Sequence, residues 1–149
     1  FAFNIPNNKL YEAEKWTSSK ISLIEFENKP IIDFPNWNAK SIYFEDNNGN
    51  ILEFIARFDL ENASEKAFDS FSVLSISESA FVTENVNALA QKLILENDFQ
   101  FFKKQIQRHD FSVIGEQNGL LIIVDSERNW FPTHVKAENF WMKVTVEND

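Results

Sequence analysis

Across its 149 residues this chain carries no cysteine, only 3 glycines and 4 prolines, and a single methionine. The missing cysteine excludes disulfides, thiolate nucleophiles and cysteine-bound zinc. So few glycines leave no glycine-rich phosphate loop and no nucleophile elbow. Basic residues are also scarce, with 14 Lys and Arg against 23 Asp and Glu, for a net charge of -9. Such a surface repels phosphate backbones, and no Lys/Arg stripe gathers along the chain, so nucleic acid is set aside as a partner. The acidity favours solubility and tolerates a cationic ligand. No apolar run approaches membrane-spanning length and no signal peptide is visible, so the expectation is a cytoplasmic protein without a membrane partner. The chain opens at Phe1, without a methionine and inside what reads as a strand, so upstream residues are expected to precede it.

Aromatic side chains are plentiful: 16 Phe and 4 Trp, with 2 Tyr, in a chain that is 44% hydrophobic. That is enough for one well-cored domain, or for two half-domains sharing a core. Large flat apolar groups fill cores and also line pockets for aromatic or aliphatic ligands. Phe1 to Ile5 alternates as a strand stopped by Pro6. Asn7 or Asn8 is placed to cap a helix over about Lys9 to Ser19, where Leu10, Ala13 and Trp16 recur at three-residue steps. Ile21 to Phe26 reads as a strand, followed by a loop through Lys29-Pro30, Phe34-Pro35 and Asn36-Trp37-Asn38. Ser41 to Arg57 holds two apolar runs around Asp46-Asn47-Asn48-Gly49, a hairpin signature.

Phe58 to Ser72 is more polar and aperiodic, and reads as a connector. The pattern then restarts. A strand lies within Val73 to Thr83, and Asn85 caps a helix carrying Val86, Leu89, Ala90 and Leu93 on one face. Phe111 to Gly115 and Leu120 to Val124 make a second hairpin around another Asn-Gly turn, and Phe140 to Val146 supplies a last strand. Strand, helix and hairpin thus occur twice, the second copy beginning about seventy residues after the first, and repetition takes precedence in reading a fold. The organisation is one module over about 1–57, a connector over about 58–72 and a second module over about 73–149.

Within the first hairpin, Ile51, Glu53, Ile55 and Arg57 share one strand face, and Leu52, Phe54 and Ala56 share the other. Neither face reads as solvated, so Glu53 is expected in a partly dry hollow. A carboxylate placed there needs a cation, a metal or hydrogen-bond donors. Arg57 lies about 13 Å along the strand from Glu53, too far for direct pairing. It is placed either to hold the anionic end of a ligand or to end the strand in solvent. Trp37 and Tyr43 are candidates for the wall of the hollow. Arg128 and Trp130, two apart in Ser126 to Thr133, point the same way and make either a binding wall or a loop anchor.

The doubled module and the run FEDNNGNILEFIAR resemble the vicinal oxygen chelate superfamily of glyoxalase I, bleomycin-resistance proteins and extradiol ring-cleaving dioxygenases. The resemblance rests chiefly on the spacing Asp46, Gly49, Asn50, Glu53, and on FVTENVNALAQKL as the second module's opening. It implies an α+β fold in which two βαβββ modules form a curled, open barrel-like sheet around a cavity. It also implies a small-molecule ligand or substrate, a monomer or homodimer, and a divalent metal (Mn, Fe, Ni, Zn or Mg). The activity would then be that of a metal-dependent lyase, isomerase or dioxygenase, with Glu53 as ligand and base. Glu78 takes the opening-strand ligand position of the second module, though the surrounding Ser75, Ser77 and Ser79 also fit an exposed edge. Ile122 or Ile123 stands where a fourth ligand belongs, and the first module's opening-strand ligand would fall before Phe1. Aliphatic groups do not coordinate cations, and two carboxylates with water favour Mg or Mn over Zn or Fe. The alternative is a metal-free binding or sequestering protein of the bleomycin-resistance type. His109 and His134 show no ligand spacing and read as exposed.

Overall fold

A computed structural model describes residues 1–145, and it divides the chain into two compact units, Phe1–Ser77 and Glu78–Asp149. The fold is α+β. In the first unit the elements are β1 (Ala2–Ile5), α1 (Leu10–Ser18), β2 (Leu23–Ile24), β3 (Ile32–Phe34), a 3-10 turn over Pro35–Trp37, β4 (Ala39–Glu45) and β5 (Ile51–Arg57). β4 and β5 form the expected antiparallel hairpin, pairing Tyr43 with Glu53 and Ser41 with Ile55. β1 lies parallel to β5, with Ala2 opposite Glu53 and Asn4 opposite Ile55. β2 and β3 both pair antiparallel with β4.

Asp46 ties the hairpin's tip. Its carboxylate accepts the backbone N–H groups of Asn48 (2.8 Å) and Asn50 (2.9 Å) and the Asn50 side-chain amide (2.8 Å), while its carbonyl accepts from Gly49 N–H (3.1 Å). These donors, the Asn50 amide first, hold the Asp46 carboxyl below the usual carboxylate range. Gly49 has φ +80, a left-handed conformation open to glycine without steric penalty. Asp46, Gly49 and Asn50 are thus turn-building residues, and their consequence is the register that sets Glu53 opposite Tyr43.

One side of this sheet packs against α1, through Ile5, Ile42, Phe44, Phe54 and Ala56 against Leu10 and Ala13. The helix runs as the three-residue spacing predicts, but its cap differs. Lys9 is the N-cap residue and makes no side-chain capping bond. Asn7 and Asn8 instead reach across the fold to 60–64: Asn7 Nδ2 donates to Leu60 O (2.6 Å), Asn7 N–H to Asn62 Oδ1 (2.9 Å), and Asn8 exchanges bonds with the Ser64 backbone (3.0 Å each). The connector is therefore clasped to the first unit rather than trailing from it. Glu12 adds to the clasp, accepting from Lys9 Nζ (2.7 Å) and from Phe68 N–H (2.9 Å). Phe68 turns inward from this irregular segment and meets Trp16 edge-on at 5.7 Å and Phe54 in a tilted contact at 5.9 Å between ring centres.

The second unit holds β6 (Ser75–Thr83, beginning in the first unit), α2 (Val86–Asn97), β7 (Phe111–Glu116) and β8 (Gly119–Asp125). Asn85 caps α2 as expected, its Oδ1 accepting from Ala88 N–H at 3.0 Å. β6 runs parallel to β8 and β7 antiparallel to it, so an opening strand again lies along the closing strand of a hairpin. Val86 and Ala90 pack on Ile114, Leu121 and Ile123. Gly115, with φ +99, closes this hairpin where any Cβ would stand 2.5 Å from the Gly119 carbonyl. Where the first unit has β2 and β3, the second has bonds from the segment before β7, Phe102 N–H to Val113 O and Gly115 N–H to Gln100 O (2.9 Å each).

Three expectations are corrected. The strand predicted over Ile21 to Phe26 shrinks to Leu23–Ile24, and β3 forms inside the segment read as loop. The last strand predicted over Phe140 to Val146 is absent from residues 140–145, which join no ladder, and Val146 lies outside the described residues. Among the described residues no helix is long and apolar enough to cross a membrane.

Phe68 is 7% exposed and Phe71, three residues on, is 91% exposed. Phe68→Ala should therefore cost about 3–5 kcal/mol and Phe71→Ala within about 0.5 kcal/mol. Native-state hydrogen exchange of the β4–β5 amides measures both, and equal effects would contradict the inward placement of Phe68.

Candidate functional site

The side of the first unit's sheet facing away from α1 gathers polar groups that strands rarely bury. Alternation puts Ala2 and Asn4 from β1, Ala39, Ser41 and Tyr43 from β4, and Glu53, Ile55 and Arg57 from β5 on this side. Glu53 is 8% exposed, as the reading of two covered faces requires, and Ser41 and Tyr43 are also buried. The Ser41 hydroxyl donates to Glu53 Oε1, and the Glu53 backbone N–H donates to Phe1 O at 2.9 Å. A buried carboxylate needs such donors, because its desolvation is otherwise uncompensated.

Arg57 is fully buried, which excludes the solvated strand end considered for it. Its Nε donates to Ser77 Oγ at 3.0 Å, and its guanidinium lies 5.4 Å from the centre of the Trp37 ring. Trp37 in turn packs on Ala2, Ala39 and Ile55. Glu53, Tyr43, Arg57 and Trp37 are thereby brought onto one side of one sheet. Ser41 and Ser77, which bond the two charged residues, carry no signal in the sequence beyond small polar residues set within apolar strands.

In the second unit, Glu78 is half-buried on β6, opposite Leu120 of β8. The exposed edge considered around it holds for Ser75 but not beyond it: Ser77 and Ser79 are buried, and Glu78 to Thr83 is laddered to β8. Ile123 packs toward α2, so it does not share a side with Glu78, and the residue in register with Glu78 is Leu120. The register gives each unit one acidic and one aliphatic member in facing positions. In the first, Glu53 on the closing strand meets Ala2 on the opening strand; in the second, Glu78 on the opening strand meets Leu120 on the closing strand. Among the described residues no three His, Cys, Asp or Glu side chains converge as a metal site would require.

Arg128 and Trp130 are each anchored locally. Arg128 lies over the Phe111 ring, 4.9 Å from its centre, and its Nη1 donates to Asp110 Oδ2 at 3.0 Å. Trp130 is held by its backbone in a tight loop, donating to Val135 O (2.8 Å) and accepting from Thr133 N–H (2.7 Å). His109 and His134 are exposed, as read.

No family model matches this sequence, and no curated protein does. Among solved structures the chain is similar to the trypanothione-dependent glyoxalase I of Leishmania major, at 10% identity and a TM-score of 0.28, over 84% of this chain and 83% of that one. A virulence protein from Salmonella typhimurium matches at 13% identity and 0.28, over 83% and 91%. An integron cassette protein from V. cholerae matches at 8% and 0.25, over 83% and 90%. At these values no site or reaction passes from those proteins to this one.

Asp110 gives a pH test of the second unit. Burial pushes its carboxyl up, but the guanidinium groups of Arg128 and Arg108 outweigh that, and the net effect is a carboxyl held below the ordinary range. A pKa lower in the folded than in the unfolded chain adds stability above the unfolded value of about 4, and that stability is lost as pH falls through the folded value. Asp110→Asn should therefore lower the melting temperature at pH 7 and narrow its gap to the parent as pH falls from about 5 toward 3. A gap constant with pH would refute the ion-pair assignment.

Proposed function

We propose that this chain is a metal-free small-molecule-binding protein of the glyoxalase and bleomycin-resistance type. On this reading the buried polar side of the first unit supplies part of the binding surface. Glu53 is the acceptor for a ligand's donor group, Tyr43 and Trp37 are aromatic wall, and Arg57 is the strut that fixes Trp37. Net charge of -9 and an inward carboxylate favour a cationic or hydrogen-bond-donating ligand over an anionic one. The observation that carries the reading is the register. The position facing Glu53 is Ala2 and the position facing Glu78 is Leu120, so each unit offers one oxygen donor group beside a hydrocarbon.

A lyase, isomerase or dioxygenase using Mn, Fe, Ni, Zn or Mg would need further donors, because hydrocarbon side chains supply no lone pair. The residues present do not fit such a centre, and no catalytic step is assigned to one. Arg128 and Trp130 are left outside the proposed surface, since the arginine is engaged by Asp110 and Phe111.

The experiment is a melting-temperature screen of the chain with divalent cations and with aromatic and aliphatic amines, alongside elemental analysis. A ligand that binds only the folded state at 100 times its Kd adds about 2.7 kcal/mol. The expected result is stabilisation by amines that Glu53→Gln abolishes, with no cation near stoichiometry. A stoichiometric cation released by Glu53→Gln would overturn the proposal in favour of a metal enzyme.

A further inference from the structure

Charge is unevenly spread over the irregular segments of this acidic chain. Residues 99–109, which precede β7, carry Lys103, Lys104 and Arg108 and no acidic residue. Residues 58–71 carry Asp59, Glu61, Glu65 and Asp69 against Lys66 alone. Each segment also exposes large apolar side chains: Phe101 and Ile106 in the basic one, with Ile106 at 83%, and Phe58 and Phe71 in the acidic one. Charges interleaved with exposed apolar groups suit a contact surface. The apolar groups gain by leaving water, and the charges select the partner.

Neither segment is loose. In the basic one, Gln107 Oε1 accepts from Ser112 Oγ (2.6 Å) and Val113 N–H (3.2 Å), while Phe102 N–H and Arg108 N–H donate to Val113 O and Phe111 O (2.9 Å each). Arg108 and Arg128 share the Asp110 carboxylate, and two guanidinium groups around one carboxylate leave that corner positive. The acidic segment is held by the Asn7 and Asn8 bonds to 60–64 and by the Glu12 bond to Phe68 N–H. Surfaces ordered before they meet lose little conformational entropy on contact.

We propose that copies of this chain associate head to tail, the acidic segment 58–71 of one copy docking on the basic segment 99–109 of the next. The occupant follows from charge complementarity, since the chain itself carries the opposite charge on a second ordered segment with its own exposed aromatic groups. The net charge of -9 opposes the approach of two copies. At about 0.15 M salt, screening over about 8 Å removes most of that repulsion between distant charges, whereas opposed charges brought into contact are screened much less. The proposal concerns a different surface from the ligand site and does not rest on Glu53.

The test is sedimentation equilibrium of the full chain from micromolar to millimolar concentration, on the parent and two variants. One combines Lys103→Glu with Ile106→Ser, and the other Glu61→Lys with Glu65→Lys; all four residues are exposed, so the core is untouched. The parent should self-associate, and each variant should do so at least about tenfold more weakly. Each Glu→Lys change adds two positive charges, taking the net charge from -9 to -5. General repulsion falls in that variant, so weaker association there reports lost pairing. An equimolar mixture of the two variants should associate again, because it still holds one native acidic and one native basic segment. Raising salt from about 0.1 to about 0.5 M should weaken the parent several-fold.

A parent that stays monomeric throughout would overturn the proposal, leaving the basic segment idle or given to another acidic partner. Self-association that neither variant weakens would put the contact on another face and overturn it equally. A mixture no stronger than its components would refute the pairing of these two segments. If either double variant fails to fold, Ile106→Ser or Glu65→Lys alone replaces it and must still weaken association for the proposal to stand.

Discussion

The register between β4 and β5 governs the ligand site proposed for this chain. Side chains alternate with a period of two, so a slip of one residue would carry Glu53 and Arg57 to the α1 side and bring Leu52, Phe54 and Ala56 out of the core. The slip is resisted at both ends of the hairpin. At the tip, Asp46 binds the N–H groups of Asn48 and Asn50 and the Asn50 amide, which leaves the loop one length and one conformation. At the base and along the strands, Phe54 is packed between Phe3, Phe44 and Phe68. Polar geometry in a solvent-exposed turn thus places an acidic group in the interior several residues away.

The interior so formed is costly, and the chain meets the cost locally. An arginine and a glutamate buried on one side of a sheet each require hydrogen-bond partners, since desolvation of either alone outweighs what packing returns. Serines supply them, Ser41 to Glu53 and Ser77 to Arg57, and the Trp37 ring covers the guanidinium. A small hydroxyl fills little of the strand's surface and leaves neighbouring side chains their apolar packing. Each hydroxyl thus bonds a charged group within the first unit.

How far the sequence spoke depended on whether the determining partner was near in sequence. The hairpin, α1 and α2 were legible because Asn-Gly turns and three-residue apolar steps act within a dozen residues. The Asn7 and Asn8 caps were misread because both side chains bond to 60–64, more than fifty residues away, and a local rule cannot register that competition. β3 was hidden because its three residues lie between Pro30 and Pro35, punctuation that argues for a loop. Phe140 to Thr145 erred in the other direction: alternation and aromatic content say strand, but a strand exists only with a partner to accept its hydrogen bonds. For the site, Glu53 stood out as a charge in an apolar run. Ser41 did not, since a serine within a strand gives no hint of which carboxylate lies diagonally across from it.

Repetition adds a last constraint on what the two units can be. Each opens with a strand laid parallel to the closing strand of its hairpin, so facing positions in one unit have counterparts in the other. In the first pair the acid sits on the closing strand and in the second on the opening strand, with alanine and leucine across from them. A cation held by either acid would be expected to find a second donor across the ladder, where side chains come closest. Instead each acid faces hydrocarbon, which withdraws a second ligand and makes the local surroundings drier. A drier carboxylate binds a single well-placed donor more strongly than an exposed one does, because water competes less for it. On the proposed reading, the hydrocarbon across from each acid and the drier setting of that acid are one feature seen from two sides.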